Sequence, residues 1–157
     1  MMASVRAILV ASALVVLGAG MPYAADDAQT IKLLMGDNFK KIQEILVDLI
    51  TSNYGTLSHD VDGIRRHAES LAQSPPTTIK AADERMMFIG YATSLRNSAT
   101  ALIAVTDELI RRDKEREASG ALKVDYLRAD AALHYGSMIT QCVLCHNQFR
   151  RYIVPAK

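Results

Sequence analysis

Two cysteines, Cys142 and Cys145, stand three residues apart, and His146 follows the second directly. On a helix, positions three apart share a face, so the two thiols would project side by side. Thiols so placed can each form a thioether with one of the two vinyl groups of a haem. The next residue then carries its imidazole towards the iron. Cys142-Val143-Leu144-Cys145-His146 therefore reads as a c-type haem attachment site, with haem c as the cofactor. Other chemistries use the same residues. A redox dithiol of the thioredoxin kind needs a βαβ setting, and no convincing strand can be read in this chain. A structural zinc site needs four ligands, and His59, His67 and His134 lack the spacing to complete one. A plain disulfide between the only two cysteines is the remaining alternative.

The start of the chain bears on which of these holds. Arg6 is the only charged residue before Asp26, and the run from Ala7 to Leu17 is apolar. Small residues and a turn former follow, Gly18-Ala19-Gly20-Met21-Pro22-Tyr23-Ala24-Ala25. A basic start, a short apolar run and a small-residue zone make a secretory signal peptide over residues 1–25, cleaved after Ala24 or Ala25. The alternative is an uncleaved membrane anchor, but the apolar run is short of the roughly 20 residues that a span needs. Export to the periplasm is the expectation.

The 157 residues suffice for one domain, residues 26–157, with a sizeable core. Half are apolar, there is no Trp, and only four are Pro, a composition that favours helices. The 18 basic residues nearly balance the 17 acidic ones, so nothing points to nucleic acid or an acidic membrane as a partner. No Ser-His-Asp set, catalytic carboxylate pair or phosphate loop stands out, so no enzyme is expected.

Four helical segments position the motif. The first is read over Gln29 to Ser52, with Ile31, Leu34, Met35, Phe39, Ile42, Ile45, Leu46, Leu49 and Ile50 on a buried face. The second covers Ser58 to Gln73, capped by Thr56 or Ser58 and closed by Ser74-Pro75-Pro76. The third runs from Ala82 to Glu117, its charged end from Arg111 lying in solvent. The fourth runs from Leu122 to Tyr152, with Val124, Leu127, Ala131, Met138, Cys142, Cys145 and Phe149 facing inward. Met86, Met87 and Met138 read as core residues, and His67 as a structural or surface residue. Short connections between the first and second helices, and between the third and fourth, imply an all-α, antiparallel up-down-up-down four-helix bundle.

The position of the motif on the last helix is distinctive. The stretch Cys142-Val143-Leu144-Cys145-His146-Asn147-Gln148-Phe149-Arg150 resembles the C-x-x-C-H-x-x-[FYW]-R ending of the class II cytochromes c, the cytochrome c′ group and its low-spin relatives. Met35-Gly36-Asp37-Asn38-Phe39-Lys40-Lys41-Ile42 is similar to that family's Met-and-aromatic segment in the first helix. Between these ends the likeness is a pattern of helices. The resemblance implies a bundle with haem lodged near one end and His146 as the proximal iron ligand. It places Arg150 beside the imidazole or a haem propionate, and Phe149 against the haem pocket's core. In the low-spin relatives a Met of the first helix is the sixth ligand, a role that falls on Met35. A slip of one helical turn in the match would put Lys32 there instead, and Ile31, Lys32 and Leu34 are candidates for lining the distal side. The family's Arg-Gln pair is not evident.

Three functions follow. A Met-ligated haem suits a one-electron carrier serving redox partner proteins. A high-spin haem with an apolar distal face suits binding of nitric oxide or carbon monoxide. A haem-free helical interaction protein would keep its thiols free or as a disulfide. The resemblance also makes a homodimer an expected form.

Overall fold

The computed structural model describes residues 27–119 and 125–153, so the signal segment, Leu122 and Val124 lie outside it. The described residues form four helices and no strand: α1 (Asp27–Thr51), α2 (Tyr54–Gln73), α3 (Ala82–Ser119) and α4 (Asp125–Ile153). The all-helical, four-helix expectation holds. Helix α1 touches α2 and α4, and α3 touches the same two, while α1 and α3 do not pack on each other, nor do α2 and α4. Each helix thus has two neighbours and leaves its outer side to solvent.

That arrangement corrects the sequence reading of α1. Phe39, Leu46 and Ile50 are exposed, Phe39 at 64% and Ile50 at 74%, although their spacing fits an apolar face. The buried line is Ile31, Asn38 and Ile45 at seven-residue steps, joined by Asp48. Two flanking helices cover only part of a helix's circumference, and α1 has more apolar residues than that part can hold. Two of its covered positions are polar instead. Met86 and Met87 of α3 are likewise exposed rather than core, whereas Met138 is fully buried.

The junction of α1 and α2 is tighter than the sequence suggests. Helix α2 starts at Tyr54, with Asn53 at the cap position, and neither Thr56 nor Ser58 caps it. Ser52 takes a left-handed φ of 59°. The Asn53 amide N–H then donates to the Asp48 carbonyl at 2.9 Å, the six-to-one bond of a Schellman ending. The Asn53 side chain donates to Asp48 Oδ1 at 3.1 Å and to Thr56 Oγ1 at 2.9 Å. This polar clasp lets two residues join α1 to α2.

Two apolar clusters make up the core. The larger includes Ile45, Leu57, Ile64, Leu95, Leu102, Leu109, Leu127 and Met138, with Cys142 at its margin. The smaller gathers Ile79, Phe88 and Phe149, with Leu71, Tyr91, Cys145 and Tyr152 around them. Pro75 and Pro76 of the α2–α3 connection are buried, and the Ile79 N–H donates to the Pro76 carbonyl at 3.2 Å. This turn folds Ile79 against the smaller cluster.

Polar contacts fix which residues face one another. His67 Nδ1 lies 2.7 Å from Asn38 Oδ1, and Lys41 Nζ lies 3.8 Å from Asp60, all between α1 and α2. Ser98 and Ser137 share a hydroxyl hydrogen bond of 2.9 Å between α3 and α4. Tyr135 of α4 donates to the Ile42 carbonyl of α1 at 3.1 Å. Tyr152 and Arg151 of α4 both reach Glu84 of α3. The charged end of α3 is a chain of exposed pairs, in which Arg111 and then Arg112 hold the Glu108 carboxyl down to about 2.

His67 gives the α1–α2 seam a pH dependence. Its burial pushes the imidazole below the ordinary 6.5, outweighing the pull of Asp37, and Lys41 and Arg66 act in the same direction as burial. The unfolded chain therefore binds the proton first as pH falls. Stability present above pH 6.5 is lost as pH drops through the folded value. Urea unfolding between neutral and mildly acidic pH should show stability falling with acid, and His67→Gln should flatten that slope.

Candidate functional site

Helix α4 carries Cys142 and Cys145 one turn apart, and both thiols are free and half-buried. Their surroundings differ. Cys142 adjoins the larger core cluster, on the stripe that holds Tyr135, Met138 and Phe149. Cys145 adjoins the smaller cluster beside Phe88 and Phe149. The motif thus straddles the boundary between the two clusters, near one end of the helix.

Burial pushes both thiols up, Cys145 to about 12, where the neighbouring Cys142 adds to the effect. At neutral pH both sulfurs are protonated. A redox dithiol works through a thiol whose pKa is lowered towards neutrality, and zinc takes thiolates. The environment here is opposite to both requirements. Among the described residues, no group of three or more His, Cys, Asp and Glu side chains converges to hold a metal ion.

His146 is exposed, one residue further round the helix than Cys145. It falls three turns beyond Tyr135 on nearly the same line, and Tyr135 is the residue that reaches α1. Phe149 is fully buried, as its inward spacing implies. Its ring meets Phe88 edge-on at 5.3 Å and Tyr91 at 6.2 Å, and lies 6.2 Å from Tyr152. This aromatic group is a rigid wall beside Cys145. Arg150 is exposed, and the adjacent Arg151 is the one that pairs, with Glu84. Met35 is half-buried on α1, one turn from the buried Ile31, while Lys32 is exposed and Leu34 half-buried. The described contacts bring Cys145 and Phe149 together.

The sequence reading passed over Glu84, Ile79 and the aromatic pair Phe88 and Tyr91 as partners of the last turn. No local pattern ties an acid in one helix's first turn to the end of another. Two grooves lie elsewhere. One of about 620 Å³ is bounded by Lys40, Gln43, Glu44, Val47, Asp48, Thr56 and Asp60 between α1 and α2. Another of about 230 Å³ lies between α1 and α4, lined by Leu46, Leu49, Ile50, Tyr54, Arg128, Ala132 and Tyr135. Neither includes a residue of the motif.

Comparison with family models, with curated proteins and with solved structures found no match to this chain. Among the described residues, no helix is long and apolar enough to cross a membrane.

Proposed function

We propose that this chain is an exported mono-haem c-type cytochrome of the class II kind that carries one electron at a time between periplasmic redox partners. The observation that carries the reading is the donor set on α4: two free, half-buried thiols one turn apart, followed by an exposed imidazole. The residues fit the group. Cys142 and Cys145 would hold the porphyrin covalently, His146 would supply one axial nitrogen, and Phe149 with its aromatic neighbours would wall the pocket. Exposed Arg150, one turn beyond His146, is free to meet a propionate. When bound, haem supplies the one-electron couple, and the protein sets its potential through ligand identity, burial and access.

In this reading the helices run up-down-up-down. Contacts between neighbours support it. From Asn38 to Lys41 on α1, partners on α2 fall from His67 to Asp60. From Glu84 to Ser98 on α3, partners on α4 fall from Arg151 to Ser137. The pair α1 and α4 behaves likewise, with Arg128 bonded to Tyr54 just past the end of α1 and Tyr135 bonded to Ile42. The start of α1 then lies at the same end as the motif. Extending the α1–α4 register from Ile42 and Tyr135 sets Ile31 level with His146 and Met35 level with Cys142. Met35 is thereby the sixth-ligand candidate of the electron carrier.

One observation favours the second reading, a gas-binding protein. The residue level with His146 is Ile31, which is 4% exposed and has no donor atom. An aliphatic wall there would leave iron five-coordinate and open to carbon monoxide or nitric oxide. Spectra of the purified holoprotein with and without carbon monoxide separate the two. The carrier reading expects low-spin bands indifferent to carbon monoxide and a thioether-to-iron band that Met35→Leu abolishes. A ready carbon monoxide shift in the unaltered protein, with Met35→Leu silent, would decide for the gas binder.

A further inference from the structure

The groove of about 230 Å³ between α1 and α4 lies away from the motif and takes no part in haem attachment. Its walls are Leu46, Leu49 and Ile50 of α1 and Ala132 of α4, so they are almost wholly apolar. No acidic side chain lines it. Leu46 and Ile50 are exposed, because α1 has more apolar residues than its two neighbours can cover. Ala132 gives the opposite wall only a methyl group, and so the space stays open.

Hydrogen bonds fix both ends of the groove. At one end the buried Tyr135 carries its hydroxyl across to the Ile42 carbonyl at 3.1 Å, which ties α4 to α1. At the other end Arg128 Nε donates to the Tyr54 hydroxyl at 3.1 Å, and that hydroxyl donates to Ser52 Oγ at 3.2 Å. Arg128 is thereby held at an exposed mouth. Of its five N–H groups, only the one on Nε has a described hydrogen-bond partner. The Tyr54 hydroxyl first, and Asp113 and Asp125 after it, raise the Arg128 pKa, but neither acid lines the groove. From Arg128 to Tyr135 the helix rises about 10 Å.

We propose that this groove binds the anion of a medium-chain fatty acid, with the carboxylate on Arg128 and the acyl chain running between Ile50 and Ala132 towards Tyr135. The chemistry matches at each part. A guanidinium with open N–H groups takes a carboxylate through two parallel hydrogen bonds. An extended tail of about eight carbons has the length of the groove. The tail removes Leu46 and Ile50 from water together with itself, which is the driving force for burial. The groove is too narrow for a peptide helix, which with its side chains is about 10–12 Å across. The site does not depend on the haem reading, because none of its residues belongs to the motif.

Isothermal titration of the chain as exported with octanoate, below the concentration at which it forms micelles, tests this. Octanoate should bind at a single saturable site. From hexanoate to octanoate each methylene should tighten binding about three- to fourfold, and decanoate should gain little more. Arg128→Gln should weaken octanoate about tenfold, and added salt should weaken it in part. Neutral octanol should bind more weakly than octanoate by the same factor and be indifferent to Arg128→Gln. Ala132→Trp should abolish binding with the helical circular dichroism unchanged, because the position is exposed. No saturable binding of octanoate, equal affinity for octanoate and octanol, or binding that survives Ala132→Trp overturns the proposal. Affinity that keeps rising with chain length beyond decanoate overturns it in favour of adsorption on an open apolar surface. Octanoate that binds only by splitting a dimer gives the groove to a second copy of the chain and overturns it as well.

Discussion

Replacing both Cys142 and Cys145 with alanine will leave a chain that carries no haem through denaturing electrophoresis, whereas the unaltered chain will stain as a haem protein. The reason is geometric. The two thiols sit one turn apart on α4, each on the edge of a different core cluster, so a porphyrin bound to both would span the boundary between them. Each single alanine variant keeps one thiol and should keep reduced covalent staining. The paired change should not unfold the apoprotein, because both side chains are only half-buried and alanine is a good helix former. Helical circular dichroism on the same samples separates loss of haem from loss of fold. Staining that survives the double replacement would mean that these thiols are not the attachment points.

Phe149→Ala will cost about 3–5 kcal/mol of stability, the range for emptying a fully buried aromatic site. Phe149 is fully buried and is the centre of the smaller cluster, with three rings around it. Two of those rings, Phe88 and Tyr91, come from α3, so the cavity would loosen the end of α4 from α3. Domains of this kind are held by about 5–15 kcal/mol in total, so the loss is a large share. Phe149→Leu, which keeps more of the volume, should cost distinctly less. Urea midpoints at constant slope provide the comparison. A Phe149→Ala cost below about 1 kcal/mol would show that the last turn is not anchored by this ring.

The helices themselves were legible in the sequence because periodicity marks them, and α3 begins at Ala82 as read. The failures have physical causes. Periodicity cannot say how many neighbours a helix has, so Phe39, Leu46 and Ile50 were assigned to a face that a two-neighbour helix leaves open. Asn38 and Asp48 are buried because each has a specific polar partner, His67 for the first and Asn53 for the second. Such pairings leave no mark in local hydropathy. The turn after α1 was read as longer than it is, because Ser52 adopts a left-handed conformation that glycine or asparagine would have advertised. The grouping of Cys142, Cys145 and His146 was legible because the three are nearly contiguous on one helix. Which residues of α1 lie opposite them is set by the register between α1 and α4. A single hydrogen bond from Tyr135 to Ile42 says more about that register than any spacing within α1.

The central claim is that Cys142 and Cys145 carry one covalent haem. Intact mass spectrometry of the chain, exported from a host with haem-attachment machinery and denatured before analysis, tests it most directly. The predicted result is a mature chain heavier by one haem, with the excess mass on the peptide that contains Cys142, Cys145 and His146. A mature chain at its bare polypeptide mass, or lighter by two hydrogens from a Cys142–Cys145 disulfide, would contradict it.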